Sequence, residues 1–361
     1  MARLSILSND ELKALYDLPM LSYEERGNLF ELDNEDRAYI DSVNSIPQKI
    51  NYILQLGYYR AVSYFFRFTF QQVKDDVNFI LQHYFPMSPF PKKDTSKHIH
   101  YKNRYQICQK YALKEVTPTF LLQLEKEARR LTTIHMLPKF VLTGLLTFCQ
   151  QNFFIKPAYS TFQEIVSRAL KFEKSRLSNK LYSAVDKSLR DKLDKLLKKD
   201  DYIYSLTLLK KEQLNFSTTE IKRTIDKQKS IAILYIESKQ PVKTLGISEQ
   251  NIIYYSELAQ FYTIQKLRAF RSKNQARLYL LCYVNHRLRK INDQLIASFI
   301  QKMLTYQKQG DEYQQKQIEA VEATDKKLRN RAHKIILINV NDKIPDSQVR
   351  EKAFEIVPKV E

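Results

Sequence analysis

Apolar residues recur along most of this chain at the three-and-four spacing of helices that bury one face. Phe162, Ile165, Val166 and Ala169 fall at i, i+3, i+4 and i+7, while Arg168, Lys171 and Lys174 share the opposite side. Val73, Val77, Ile80 and Leu81 make a similar stripe in a helix that opens at Thr69, with Gln72 as its capping-box partner. Ser8 with Glu11 and Ser217 with Glu220 have the same capping spacing, and Ser248 is placed as a further N-cap. Leu7 and Leu12 are set for a hydrophobic staple across the Ser8 start. Pro47, Pro118 and Pro138 stand where a first helical turn tolerates proline. With five glycines in 361 residues, the pattern predicts a mainly α protein and leaves no glycine loop to cradle a phosphate.

Breaks in the pattern suggest how the helices are grouped. The stretch PMSPFPKKDTSK, residues 86–97, carries three prolines and a basic run and reads as a linker. The expected layout is a helical module over 1–88, a linker over 89–98, a second module over 99–180 and a third helical domain over 181–305. Residues 306–361 turn Gln- and Lys-rich and read as a long polar helix or connector. No internal repeat period is evident.

Charge narrows the partner. The chain holds 59 Lys and Arg against 40 Asp and Glu, a net charge of +19 that favours polyanions. The excess centres on residues 91–240, where 30 basic side chains face 15 acidic ones, whereas residues 1–90 carry 8 basic and 12 acidic. A 43% hydrophobic content supports real cores, so this is not a disordered basic tail. No apolar run reaches the ~18 residues of a membrane span, and MARLSILSNDEL lacks a signal-peptide core, so no membrane partner and a cytoplasmic location are expected.

Candidate chemistry is sparse. Cys108, Cys149 and Cys282 are scattered and read as buried thiols. His98 and His100, with His83 and Cys108, fit no zinc spacing, and neither metal nor cofactor is expected. Glu24-Glu25 and Asp75-Asp76 read as solvated carboxylates without basic partners, so the residues supply no acid–base or metal site and the chain reads as a non-enzyme. The 23 tyrosines and 20 phenylalanines read mainly as core, with stacking on single-stranded bases as the alternative.

The most informative segment is KPAYSTFQEIVSRAL, residues 156–170. Lys156-Pro157 biases the chain toward extended geometry. Ser160 and Gln163 have capping-box spacing, which predicts a helix beginning at Ser160. Tyr159, Ser160, Thr161 and Gln163 would then occupy a first turn open to phosphates or base edges. Arg168 and Lys171 extend that candidate surface. Lys102 and Arg104 join it from the basic second module, with Lys110, Arg129 and Arg130 beside them, and Lys49 and Arg60 from the acidic first one, where surface placement is the default.

Several segments in order resemble the N-terminal region of the replicative transposases of the Tn-three family. RLSILSNDEL is similar to the family's start, and KINYILQLGYYRA resembles its N-R-L-x-F-x-x-Q-L-x-x-x-R helix. KPAYSTFQEIVSRAL resembles its P-x-Y-S-T-L-Q-x-L-V-S-x-A signature, the most specific of these matches. YYSELAQFYTIQKLRAF, QARLYLLCYVNHRLRKINDQLI and IPDSQVREKAFEIVP continue the likeness over essentially the whole chain. Gly57 stands where the family often has Cys, and Phe162 where Leu is usual; both read as mild changes. The resemblance implies consecutive helical modules of helix-turn-helix type that recognise terminal inverted repeats in double-stranded DNA. It places the family's Asp-Asp-Glu catalytic region, with its two Mg²⁺ ions, C-terminal to these segments, so no residue here carries over as catalytic. Implied partners are repeat DNA and either a second copy or an intact transposase, in the nucleoid of a bacterial cytoplasm. A stand-alone regulator of transposition and an RNA- or single-strand-binding scaffold are the alternatives.

Overall fold

A computed structural model describes residues 4–200 and 203–357. The chain folds, in order, into α1 (Asn9–Tyr16), α2 (Tyr23–Leu29), α3 (Asn34–Asp41), α4 (Ile46–Val62), α5 (Lys74–Tyr84), α6 (Lys97–Lys110), α7 (Pro118–Ile134), α8 (Pro138–Gln151), α9 (Tyr159–Ala184) and α10 (Lys187–Lys195). A short antiparallel pair, β1 (Lys199–Asp200) and β2 (Ile203–Tyr204), precedes α11 (Ser205–Lys210), α12 (Thr218–Leu245), α13 (Glu249–Phe261), α14 (Ile264–Arg268), α15 (Lys273–Asn339) and α16 (Asp346–Ile356). The mainly α expectation is met.

Two compact units result, Met1–Lys210 with Ala232–Arg287, and Lys211–Ile231 with Leu288–Glu361. The first contains two adjoining cores. One gathers Phe30, just after α2, with Ile50, Ile53, Leu54, Val77, Ile80 and Ile107 from α4, α5 and α6. The other gathers Phe120, Leu124, Val141, Leu145, Phe162, Ile165 and Val166 from α7, α8 and α9, with Leu4, Ile6 and Leu7 packed against it. The boundary expected at 89–98 therefore falls inside one core, because α6 buries Ile107 and Cys108 with α4 and Phe90 packs beside them. Prolines there turn the chain between two helices of the same core. The boundary expected at 305–306 also differs, since α15 runs unbroken from Lys273 to Asn339.

In the second unit, Gln213 donates from Nε2 to Ser298 Oγ at 2.8 Å, and its Oε1 accepts from Thr224 Oγ1 at 3.2 Å. Beyond Ser298 nearly every described position of α15 is exposed, as the polar composition predicts.

The capping expectations divide. Ser8 and Glu11 form the full reciprocal box, and Ser248 Oγ accepts from Asn251 N–H at 3.2 Å. Thr69 and Gln72 also exchange both bonds, yet residues 70–73 form a turn and α5 begins at Lys74. Ser217 caps Glu220 N–H, but the Glu220 carboxylate turns to Arg223 at 2.5 Å.

The two cores meet along an extended crossing. Lys114 N–H donates to Phe153 O at 2.7 Å, and Ile155 N–H to Lys114 O at 3.0 Å. Alternation along this strand sends Phe154 onto Phe120, rings 3.5 Å apart, while Ile155 enters the α4 core. Lys156 is buried next to it. Its Nζ donates to Leu15 O at 2.7 Å and Val62 O at 3.0 Å, in the last turns of α1 and α4, and lies over the rings of Tyr16 and Tyr64. An ammonium is thus shared between two helix C-termini, each with orphan carbonyls and partial negative charge.

Gly57 is set by packing. A Cβ there would stand 2.2 Å from the Phe30 ring, which is fully buried. A cysteine would meet the same ring, so the exchange read as mild is incompatible with Phe30 in this position. Gly57→Ala should lower unfolding free energy by about 1–2 kcal/mol in urea titration, overpacking exceeding the gain in helix propensity.

Burial lowers the Lys156 amine from its ordinary 10.5 to about 8. Between those values the unfolded chain binds the extra proton, so stability contributed at this position rises with pH across that interval. The difference in melting temperature between wild type and Lys156→Met, followed from pH 7 to pH 10.5, should move in favour of wild type as pH increases. A flat difference would show that the two carbonyls and two rings already compensate the buried charge.

Candidate nucleic-acid interface

The first turn of α9 is engaged rather than open. The helix starts at Tyr159 with Ala158 as N-cap and no side-chain cap, so the Ser160–Gln163 box does not form. Tyr159 Oη instead accepts from Ile6 N–H at 3.0 Å and Leu7 N–H at 3.1 Å. Gln163 Nε2 donates to Leu4 O at 2.7 Å, and Tyr16 Oη donates to Pro157 O at 3.0 Å. Residues 4–16 form an arm across this turn, fastened further by an ion pair between Glu11 and Lys139. The hydrogen bond from Lys139 and that from Ser8 N–H hold the Glu11 carboxyl down at about 2. Ser160 and Thr161 are half-buried at the edge of the arm.

Further along α9 the buried stripe is as expected, with Phe162, Ile165, Val166 and Ala169 all inside. Arg168 and Lys171 are exposed; Arg168 Nε lies 3.5 Å from Glu125, which also faces Arg129. Arg129 covers the Phe172 ring at 4.3 Å. Lys174, expected on the outer side, is half-buried over the Tyr279 ring, and burial lowers its amine. α8 and α9 are joined by residues 152–158, whose extended part pairs with Lys114, so the tight turn of a helix-turn-helix is absent at this junction.

Several cations expected at the surface are internal ties. Arg60 donates through Nε to Tyr111 Oη at 3.1 Å and through its terminal nitrogens to Leu29 O at 3.0 Å and Asp36 at 3.3 Å. Asp36 is fully buried and also takes Lys110 at 2.7 Å and Tyr52 Oη at 2.8 Å. The Lys110 ammonium, together with Asp36 N–H, draws the Asp33 carboxyl down to about 2. Asp76, read as solvated, is buried with Arg26 Nε at 2.7 Å and Tyr58 Oη against it. Arg104 grips both oxygens of Glu115 at 2.7 Å and lies over Phe65. Lys49 is half-buried beside the Phe85 ring.

One face of α6 is outward as well. Its inner side is docked on α4 by amides: Asn103 Nδ2 donates to Gln48 O and to Asn51 Oδ1, both at 3.0 Å, and Asn103 Oδ1 accepts from Tyr39 Oη at 2.9 Å. Gln55 Nε2 reaches Asn51 Oδ1 at 2.6 Å and His100 O at 3.2 Å. With Asn51, Gln55 and Asn103 all buried, this network fixes the rotation of the helix. Lys97, His98, Tyr101, Lys102, Tyr105 and Gln109 consequently face solvent. α6 contains no acidic residue, and Lys102 makes no ion pair among the described residues. Lys97, Tyr101 and Tyr105 were not among the residues singled out from sequence, although their spacing of four marks them as one face.

Residues 6–169 match the family model of a domain of unknown function, DUF4158, and the chain carries that domain over this span. The match covers both cores and ends at Ala169, the last α9 residue buried in the second of them. No curated protein matches the chain.

Tyr159→Phe should cost about 1–3 kcal/mol, two arm amides losing their acceptor, and Arg60→Ala about 2 kcal/mol or more. Both should appear as earlier urea midpoints. If either change instead left stability intact and weakened duplex binding, the residue would belong to the interface rather than to the scaffold.

Proposed function

We propose that this protein binds duplex DNA at the terminal inverted repeats of a replicative transposon, as the end-recognising part of a Tn-three family transposase or as a regulator that occupies the same ends. The observation that carries this reading is the solvent face of α6, where Lys97, Lys102 and two exposed tyrosines stand without a carboxylate on the helix. A helix rotated by a buried amide network to present cations and aromatic rings is suited to a phosphate-lined groove. The exposed Arg168 and Lys171 on α9 add cationic surface within the DUF4158 domain or next to it. That domain is associated with Tn-three family transposases, in line with the Tyr-Ser-Thr-x-Gln element at Tyr159. Lys156 and the arm over 4–16 then serve as scaffold for the DNA-facing helices.

Exposed Tyr101 and Tyr105 also suit stacking on unpaired bases, so strand preference is the discriminating measurement. Wild type should prefer duplex containing the terminal repeat over either single strand, with affinity falling steeply between roughly 50 and 200 mM salt. Lys102→Glu should weaken duplex binding by about 1 kcal/mol or more, with an unchanged melting temperature. Tighter binding to the single strand, or affinity indifferent to salt, would overturn the reading.

A further inference from the structure

At the N-terminal end of the α6 face, Arg67, Phe68, Thr95, Lys97, His100 and Tyr101 line an open pocket of about 110 Å³. None of these lining residues is acidic. Arg67 and Lys97 are exposed; Arg67 donates one terminal nitrogen to Tyr101 Oη at 3.0 Å, and neither cation has an ion pair among the described residues. The nearest carboxylate along the chain, Asp94, has one oxygen engaged by Phe70 N–H at 2.7 Å.

His100 adds a donor. Its Nδ1 lies 3.1 Å from Gln55 Nε2, an amide nitrogen that can only donate, so the neutral ring carries its proton on Nε2. Burial, with the Arg104 and Arg67 cations as lesser causes, lowers the imidazolium pKa. The lining therefore brings together two cations, an imidazole and the Thr95 hydroxyl beside aromatic rings, groups able to donate to a tetrahedral oxyanion. The space suffices for one such group.

We propose that this pocket seats a backbone phosphate of the bound nucleic acid and so sets the register of α6 along the strand. This rests on the duplex-binding reading above and adds a site to it. Arg67 and Lys97 are the anchoring charges, with His100 and Thr95 completing the shell.

The test compares wild type, Arg67→Ala, Lys97→Ala, the double variant and Lys102→Glu on one duplex, from roughly 50 to 200 mM salt. Each alanine change should weaken binding about tenfold at the low end. It should also reduce the log–log salt slope by about 0.9, and the double variant by about twice that. Both side chains are exposed, so thermal midpoints should match wild type. In a second arm, inorganic phosphate is titrated while the His100 ring signals are followed by NMR. If Lys102→Glu weakens duplex binding and the pocket variants leave affinity and slope unchanged, the pocket assignment fails and the duplex reading stands. A phosphate-induced shift of His100 in wild type with unchanged duplex slopes in the variants would identify a free-oxyanion site and overturn the backbone assignment. Absence of duplex binding by wild type would overturn both.

Discussion

A single buried ammonium holds the DUF4158 region in register. Lys156 sits where the crossing segment passes between the two cores, and its Nζ joins the C-terminal turns of α1 and α4. Removing a charge from water is costly, so such a group persists only where strong acceptors surround it. Two helix ends and the faces of Tyr16 and Tyr64 supply them. The arrangement ties three parts of the chain together: the arm that crosses α9, the central helix of the first core, and the strand that leads into α9. The start of α9 consequently inherits its position from contacts more than 90 residues away in sequence.

The same economy governs the charges of the first core. Asp36 and Asp76 are buried, and each draws cations inward: Arg60 and Lys110 to the former, Arg26 to the latter. A carboxylate left alone in that interior would be strongly destabilising, so these cations serve the fold before they can serve a ligand. The net charge of a segment therefore does not fix the potential of each helix packed on it. Residues 1–90 are net acidic, with Asp36 and Asp76 inside and the other carboxylates outward, yet α6, which packs on the same core, shows solvent a face of lysines and tyrosines.

The α9 segment has two kinds of polar group, and they have separate roles. Tyr159 and Gln163 satisfy backbone groups of the arm, which would otherwise be half-buried and unpaired. Arg168 and Lys171, one and two turns later, point to solvent with weak or no pairing among the described residues. A surface for a polyanion is thus displaced from the helix start toward its middle, and toward α6.

Helices and their buried faces were legible in the residues themselves. Periodicity places Phe162, Ile165, Val166 and Ala169 inside without knowledge of any neighbour, and the Ser8 box and the Ser248 cap form from groups three residues apart. Local geometry suffices for these because both partners lie on one helical turn. The exposed Lys97, Tyr101 and Tyr105 face was equally readable by spacing, though nothing local showed that α6 would dock on α4 and leave that face outward. Which Asp is buried, which Arg is consumed, why Gly57 admits no side chain and why Ser160 caps nothing were decided by tertiary structure alone. Each depends on a partner brought close by folding: Arg26 for Asp76, Asp36 for Arg60, Phe30 for Gly57, the arm for Tyr159. A helical repeat records the direction in which a side chain points, and the identity of what it meets there is a property of the packed cores.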